Sequence, residues 1–129
     1  FTFLFNSLST AHASFKSRTY ITPLENQLKQ LHLEISNSLE QKHSIARCAK
    51  QLNISESYFQ LIYKKLFGIS FQQDLILMRV TRARFNLSTS NLSLSQIAEF
   101  CGYNNEVHFY RQFKKLTGVT PAQYRKHPF

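Results

Sequence analysis

Residues 58–70 read YFQLIYKKLFGIS, and residues 108–120 read HFYRQFKKLTGVT. In register, Phe59, Lys64, Lys65, Leu66 and Gly68 fall on Phe109, Lys114, Lys115, Leu116 and Gly118, each fifty positions on. Tyr63 falls on Phe113, Ile69 on Val119, and Ser70 on Thr120. A chain of 129 residues has room for one domain or two small ones. A segment of this size written twice therefore points to one structural unit built twice.

The pattern around the repeat is helical. Thr22, Pro23 and Glu25 predict a helix start with an N-cap, a proline in the first turn and a capping box. Leu24, Leu28, Leu31, Ile35 and Leu39 follow at spacings of four, three, four and four, which predicts an amphipathic helix to about Gln41. That spacing is also near a heptad, so the stripe serves either to pack on its own domain or to form a dimer. Ser44 begins a short helix with Ile45, Cys48, Ala49 and Leu52 inward, and NIS at 53–55 breaks it. Ser55 caps the next helix, with Tyr58, Phe59, Ile62, Tyr63 and Leu66 as its apolar positions and Gly68 placed to end it. Ser70 caps a longer helix to about Ser88, with Gln73 completing a second capping box and Phe71, Leu75, Met78, Ala83 and Leu87 along it.

The pattern then returns. Ser93 opens a short helix with Leu94, Ile97, Ala98 and Cys101 inward. Gly102 turns the chain, because it can take a positive φ that a β-carbon would oppose. A helix from about Asn105 to Leu116 has Phe109 and Phe113 as anchors, and Thr120 with Pro121 starts a last one. The expected fold is all-α with about seven helices and no strand. Three Gly and three Pro are too few for an all-β fold rich in tight turns. Residues 1–21 are apolar and then Ser/Thr-rich without a period, which predicts a linker or the tail of an upstream segment. Their lack of an initiator Met and of a basic start argues against a signal peptide and predicts a fragment.

Charge narrows the partner. The net formal charge is +9, and from Ser44 onward there are 12 Lys/Arg against 4 Asp/Glu. The excess thus sits on the repeated part. A compact segment that basic suits a polyanion, because neutralised phosphates release counterions. Cys48 and Cys101 lie in apolar helical patterns and predict reduced core thiols. No Cys/His cluster has metal-ligand spacing, and no run approaches the ~20 apolar residues of a membrane span.

Each copy outlines a helix-turn-helix: a short helix, a turn of three or four residues, then a helix bearing polar and basic residues. Ala49 faces the second helix where the two cross, and Ala98 holds the same place forty-nine residues on. The offset becomes fifty after the turn, so the second turn is one residue longer. The helix from Ser70 to Ser88 would span ~28 Å at 1.5 Å per residue. Two reading helices on such a bar would lie near one DNA turn apart, ~34 Å. A stiff bar that falls short would require the DNA to bend.

The stretch from Ser44 to Lys126 resembles the DNA-binding domain of AraC/XylS-type transcription regulators. The residues that carry the resemblance are LFGIS at 66–70, Arg79 with Ala83 and Leu87, IAEFCGY at 97–103, and HFYRQFKKLTGVTPAQYR at 108–125. The resemblance implies two helix-turn-helix subdomains, at 22–69 and 89–129, joined by a linker helix at 70–88. Together they form an AraC-type domain over 22–129. It implies sequence-specific binding of double-stranded promoter DNA, with two recognition helices in successive major grooves. Further implications are activation, often through RNA polymerase, no cofactor, no membrane association, and a cytoplasmic, nucleoid-associated bacterial protein. A sensing or dimerising companion usually precedes such domains. Here it looks absent or reduced to the first 40 residues, and any homodimer would form through the upstream region.

The family's base-reading positions carry over to Ser57, Gln60 and Leu61 in the first recognition helix and to Glu106, Val107, His108 and Arg111 in the second. The residues themselves lead to a similar set, facing away from the Phe59/Ile62 and Phe109/Phe113 stripes. Gln60 suits adenine and Arg111 suits guanine O6/N7. Glu106 can accept from cytosine N4, and His108 can donate to a base or a phosphate. Lys64, Lys65, Lys114, Lys115 and Asn105 suit phosphates. At the helix ends the lysines also suit the macrodipole.

Two positions depart from the family pattern. Leu61 is apolar where a polar reader is expected, and it can meet a thymine methyl. Asp74 aligns with Tyr124, where the family usually has an aromatic residue, and it is expected to pair with Arg79 or Arg82. Of the tyrosines, Tyr63 and Tyr103 sit on core stripes, whereas Tyr58 and Tyr110 have room to be exposed. A helical module whose basic face meets an acidic protein is the alternative reading. An enzyme lacks support: there is no local nucleophile motif, no paired carboxylates and no phosphate-cradling glycine loop.

Overall fold

The computed structural model describes residues 22–129, and the reading of 1–21 as tail or linker falls outside them. Seven helices and no strand occur among the described residues: α1 Pro23–Ser36, α2 Ile45–Leu52, α3 Glu56–Phe67, α4 Phe71–Thr89, α5 Leu94–Phe100, α6 Glu106–Thr117 and α7 Pro121–Lys126. Every one starts on a small polar cap. Thr22, Ser44, Ser55, Ser70, Ser93, Asn105 and Thr120 each accept a hydrogen bond from the backbone N–H three residues on. These caps satisfy amides that the first helical turn leaves free. Full capping boxes close at Thr22/Glu25, Ser93/Gln96 and Thr120/Gln123. At Ser70 only the Gln73 N–H to Oγ bond forms, at 3.3 Å, so the box expected there is half made.

The first helix stops earlier than its leucine spacing suggests. It ends at Ser36 rather than near Gln41. The hydroxyls of Ser36 and Ser38 donate to the carbonyls of Leu33 and Glu34, at 2.8 and 2.7 Å, and so compete with continued helix. Leu39 is still buried, now delivered by the loop. Leu28, Leu31 and Ile35 are buried within the chain's own core, so the stripe packs on its own domain.

Two cores form, one at each end of α4. The first gathers α1, α2 and α3 around Phe59 and Tyr63, with Phe71 and Leu75 from α4. The second gathers α5, α6 and α7 around Phe109 and Phe113, with Val80, Ala83 and Leu87 from α4. Phe59 and Phe109 are each fully buried. Such burial contributes about 1.5–3 kcal/mol per side chain.

The two ends of α4 do not bury the same face. At ~100° per residue, the Phe71/Leu75 stripe and the Val80/Ala83/Leu87 stripe lie roughly 130° apart around the helix. One continuous stripe along α4 therefore does not include Val80. At 19 residues α4 is ~28 Å long.

Candidate nucleic-acid interface

The two copies superimpose in their bonding. In the first turn Ile54 N–H donates to Ala49 O at 3.0 Å, and in the second Tyr103 N–H donates to Ala98 O at 2.9 Å. Asn53 and Gly102 occupy matching left-handed positions, with φ of 58° and 92°. The turn then gains one residue, Asn104, before the matching caps Ser55 and Asn105. Both second helices end on a left-handed glycine, where Gly68 and Gly118 donate to Lys64 O and Lys114 O at 2.8 Å each. Ala49 and Ala98 are buried, as close helix crossing requires.

Against these fixed inner faces stand two outer ones. On α3, Ser57, Gln60, Leu61 and Lys64 are exposed and follow one another at intervals of three, one and three. They form a single ridge. On α6, Glu106, Val107, His108, Arg111, Lys114 and Lys115 are exposed. Arg111 lies three or four residues from Val107, His108, Lys114 and Lys115 and so occupies the centre of that face. Leu61 is 64% exposed and Val107 60%, so neither serves a core. Lys64, Lys65, Lys114 and Lys115 lie in the last turns of α3 and α6. Cations there suit the helix dipole.

A family model described as a helix-turn-helix domain matches residues 48–127. The chain belongs to the AraC/XylS family of DNA-binding domains. It is 34% identical over 92 residues to an uncharacterised HTH-type transcriptional regulator, YtdP, of Bacillus subtilis, a match covering 71% of this chain and 12% of that protein. The C-terminal domain of the two-component response regulator yesN from Fusobacterium nucleatum is similar in structure. The TM-score is 0.73 at 32% identity, covering 78% of this chain and 98% of that one. The DNA-binding domain of AdpA, solved with a target DNA, gives a TM-score of 0.74 at 27% identity, covering 78% and 90%. The chain spans about a third or less of the length of the curated relatives it matches. Within that span it is a DNA-binding domain of transcription regulators.

In this AraC-type domain the second recognition helix has a support that the sequence did not reveal. Tyr103 is buried, and its hydroxyl donates to Gln112 Oε1 at 2.6 Å. Gln112 Nε2 lies 3.4 Å from His108 Nε2. The Tyr103 ring also meets the His108 ring edge-on, at 5.4 Å between centroids. Gln112 thus connects the core to an exposed candidate reader. Its position, four residues after His108, is the only signal for this in the sequence. Asn105 Oδ1 accepts from His108 N–H at 2.8 Å, so its carbonyl is committed to the cap and only its amide NH₂ faces outward chemistry.

Asp74 does not pair with Arg79 or Arg82. Its Oδ2 accepts from the Tyr63 hydroxyl and lies 3.2 Å from His32 Nε2. His32 is itself stacked on Phe67 at 4.6 Å. Burial opposes ionisation of Asp74, but the hydrogen bonds from His32 and Tyr63 outweigh it and hold the carboxyl below its usual range. Burial, then the bond to Asp74, raises the Tyr63 hydroxyl. The two arginines instead donate to backbone carbonyls, Arg79 to Leu39 and Gln41 in the loop after α1 and Arg82 to Ser36, the last residue of α1.

Tyr63 and Tyr103 are core residues, Tyr58 is 45% exposed, and Tyr110 is half-buried against Phe109. Both cysteines are buried and free. Burial raises the Cys48 thiol and pushes Cys101 up to about 11, which favours the protonated thiol in both. Among the described residues no group of three His, Cys, Asp or Glu is placed to hold a metal, and no helix is long and apolar enough to cross a membrane.

Proposed function

We propose that the domain binds a two-part site in double-stranded promoter DNA. Helix α3 enters one major groove and α6 the next on the same side of the duplex. The supporting observation is the pair of matched helix-turn-helix units on α4, each with a fully buried aromatic inner face and an exposed polar and basic outer face. Ser57, Gln60 and Leu61 meet base edges in one groove, and Glu106, Val107, His108 and Arg111 in the other. Lys64, Lys65, Lys114, Lys115 and the Asn105 amide hold phosphates. Residues 22–69 and 89–129 act as two subdomains with 70–88 as the bar between them. The protein acts as an activator in the cytoplasm, on the nucleoid, in contact with RNA polymerase, and any homodimer forms outside the DNA-binding domain.

Selection of bound duplexes from a random pool tests this directly, because two conserved half-sites should emerge about one helical turn apart. On the selected site, Arg111→Ala should weaken binding by ~1–3 kcal/mol and relax preference at one base pair. An equal loss on selected and scrambled duplexes would defeat the base-reading role. Absence of any DNA shift at moderate salt would favour an acidic protein partner instead.

A further inference from the structure

The two lobes also meet away from the linker helix. Leu39, in the loop after α1, is buried in the first core. Arg79, midway along α4, donates from Nη2 to Leu39 O at 3.2 Å and to Gln41 O at 3.0 Å. One turn later Arg82 donates from Nη2 to Ser36 O at 3.0 Å. The second lobe closes the contact through Gly102. A Cβ on that residue would lie 2.1 Å from Leu39 O, 2.8 Å from Arg79 Nε and 2.9 Å from Arg79 Cζ. The turn of the second helix-turn-helix is therefore seated on a first-lobe carbonyl, with a guanidinium against it. Arg79 Nε is buried without a hydrogen-bond partner, so packing at this spot takes precedence over its full solvation.

Both turns need a positive φ, and at 92° Gly102 lies further into the glycine-favouring region than its counterpart at 58°. Its counterpart Asn53 adopts the same left-handed backbone with an exposed side chain. Asparagine tolerates that region, so a residue with a Cβ serves in the first copy. In the second copy glycine answers two demands, the larger φ and a first lobe that fills the space a side chain would use. Two bodies joined by one helix can bend and twist about it. A second attachment removes that freedom before DNA is met, which is preorganisation for a two-part ligand.

We infer that Arg79, Arg82 and Gly102 are positioning residues that fix the separation and angle of α3 and α6, and so set the half-site spacing the domain accepts. This rests on the two-groove reading above. The test uses the full chain and fluorescence anisotropy on three sets of duplexes. These carry the site selected by the wild-type chain, the same site with either half scrambled, and the same site with one or two base pairs inserted or removed between the halves. Arg79→Met leaves the second turn intact and is the deciding variant. It should lose about tenfold on the intact site, as a rigid two-point contact becomes a flexibly tethered one. It should retain wild-type affinity for each single half and lose the sharp spacing optimum. Arg79→Lys, with one short donor head in place of the fork, should fall between Met and wild type. Gly102→Ala should also flatten the spacing profile, with an added loss on the second half-site from strain at its positive φ. A wild-type spacing profile in Arg79→Met overturns the inference while leaving the two-groove reading intact. An equal loss on single half-sites also overturns it, since that reports damage within a lobe. Selection by the wild-type chain of a single undivided site, with no dependence on spacing, overturns both.

Discussion

Position for position, the first lobe shows Leu61 where the second shows Arg111, Gln60 where the second shows Tyr110, and Tyr58 where the second shows His108. Beneath them the backbone chemistry is unchanged: the caps, the left-handed turn residues, the crossing alanines and the terminal glycines all match. Even the interior has been edited in pairs. In the second lobe Phe113 of α6 meets the Tyr124 ring edge-on at 5.6 Å. In the first, Tyr63 stands in place of Phe113 and Asp74 in place of Tyr124, and the Tyr63 hydroxyl donates to the carboxylate. A ring-on-ring contact has become a hydroxyl-to-carboxylate bond at the same junction. The scaffold tolerates either solution but not half of each, because a lone buried polar group would be left unpaired.

Equivalence of the lobes is most severely tested in their cores. Phe59 and Phe109 are both fully buried. Phe59→Ala and Phe109→Ala should each destabilise by ~3–5 kcal/mol, from lost transfer and the cavity left behind. Urea denaturation of the two variants measures this. A difference of more than a few kcal/mol between them would show that one lobe carries the stability of both.

Such equivalence was legible in the sequence because its signals are local. A Ser, Thr or Asn before each helix start marks a cap wherever it sits, and all seven caps form. The exposed ridges were legible as the complement of the aromatic stripes. What the sequence does not display depends on distant partners or on a change of face. Arg79 and Arg82 bond carbonyls 38 to 46 residues away. Carbonyls belong to every residue, so no side-chain pattern announces them, and Asp74 looked like the arginines' natural partner. His32, 42 residues from Asp74, gave no sign of facing it. Val80 falls off the apolar stripe because α4 switches its buried side midway. The leucine spacing overruns the end of α1 because Leu39 keeps it after the helix has stopped.

Outer faces separate the lobes more finely. If Arg111 grips a guanine and Leu61 touches at most a thymine methyl, Leu61→Ala should weaken specific binding less than the ~1–3 kcal/mol expected for Arg111→Ala. Leu61→Arg should go the other way and make the first lobe resemble the second. Repeating the selection with that variant should bring up a guanine in the first half-site alone. An unchanged first half-site would mean that α3 does not present Leu61 to the bases.

The edited interior predicts a pH signature confined to the first lobe. The Asp74 carboxyl is held below its ordinary value in the folded state. Its stabilising contribution is therefore complete above the unfolded value of about 3.9 and is lost as pH falls through the lower folded value. Asp74→Asn should reduce stability at pH 5 by about 1 kcal/mol, the gap between a charged and a neutral hydrogen bond. The difference from wild type in urea midpoint should then shrink below about pH 4. A gap that persists undiminished at pH 2 would assign the effect to packing rather than to charge.

The smallest expected effect discriminates most directly between one docked lobe and two. Lys64 and Lys114 are the same residue in the two copies, each exposed in the last turn of its recognition helix. Replacing either with Ala should weaken binding alike on all sequences and flatten the plot of log K against log salt by ~0.9. Both lobes docked means equal decrements, and the double variant flattens the slope by about 1.8, since sites this independent add. If only the second lobe docks, Lys64→Ala leaves the slope untouched while Lys114→Ala lowers it. Base identity does not enter this measurement, because counterion release counts phosphates whichever sequence lies between them.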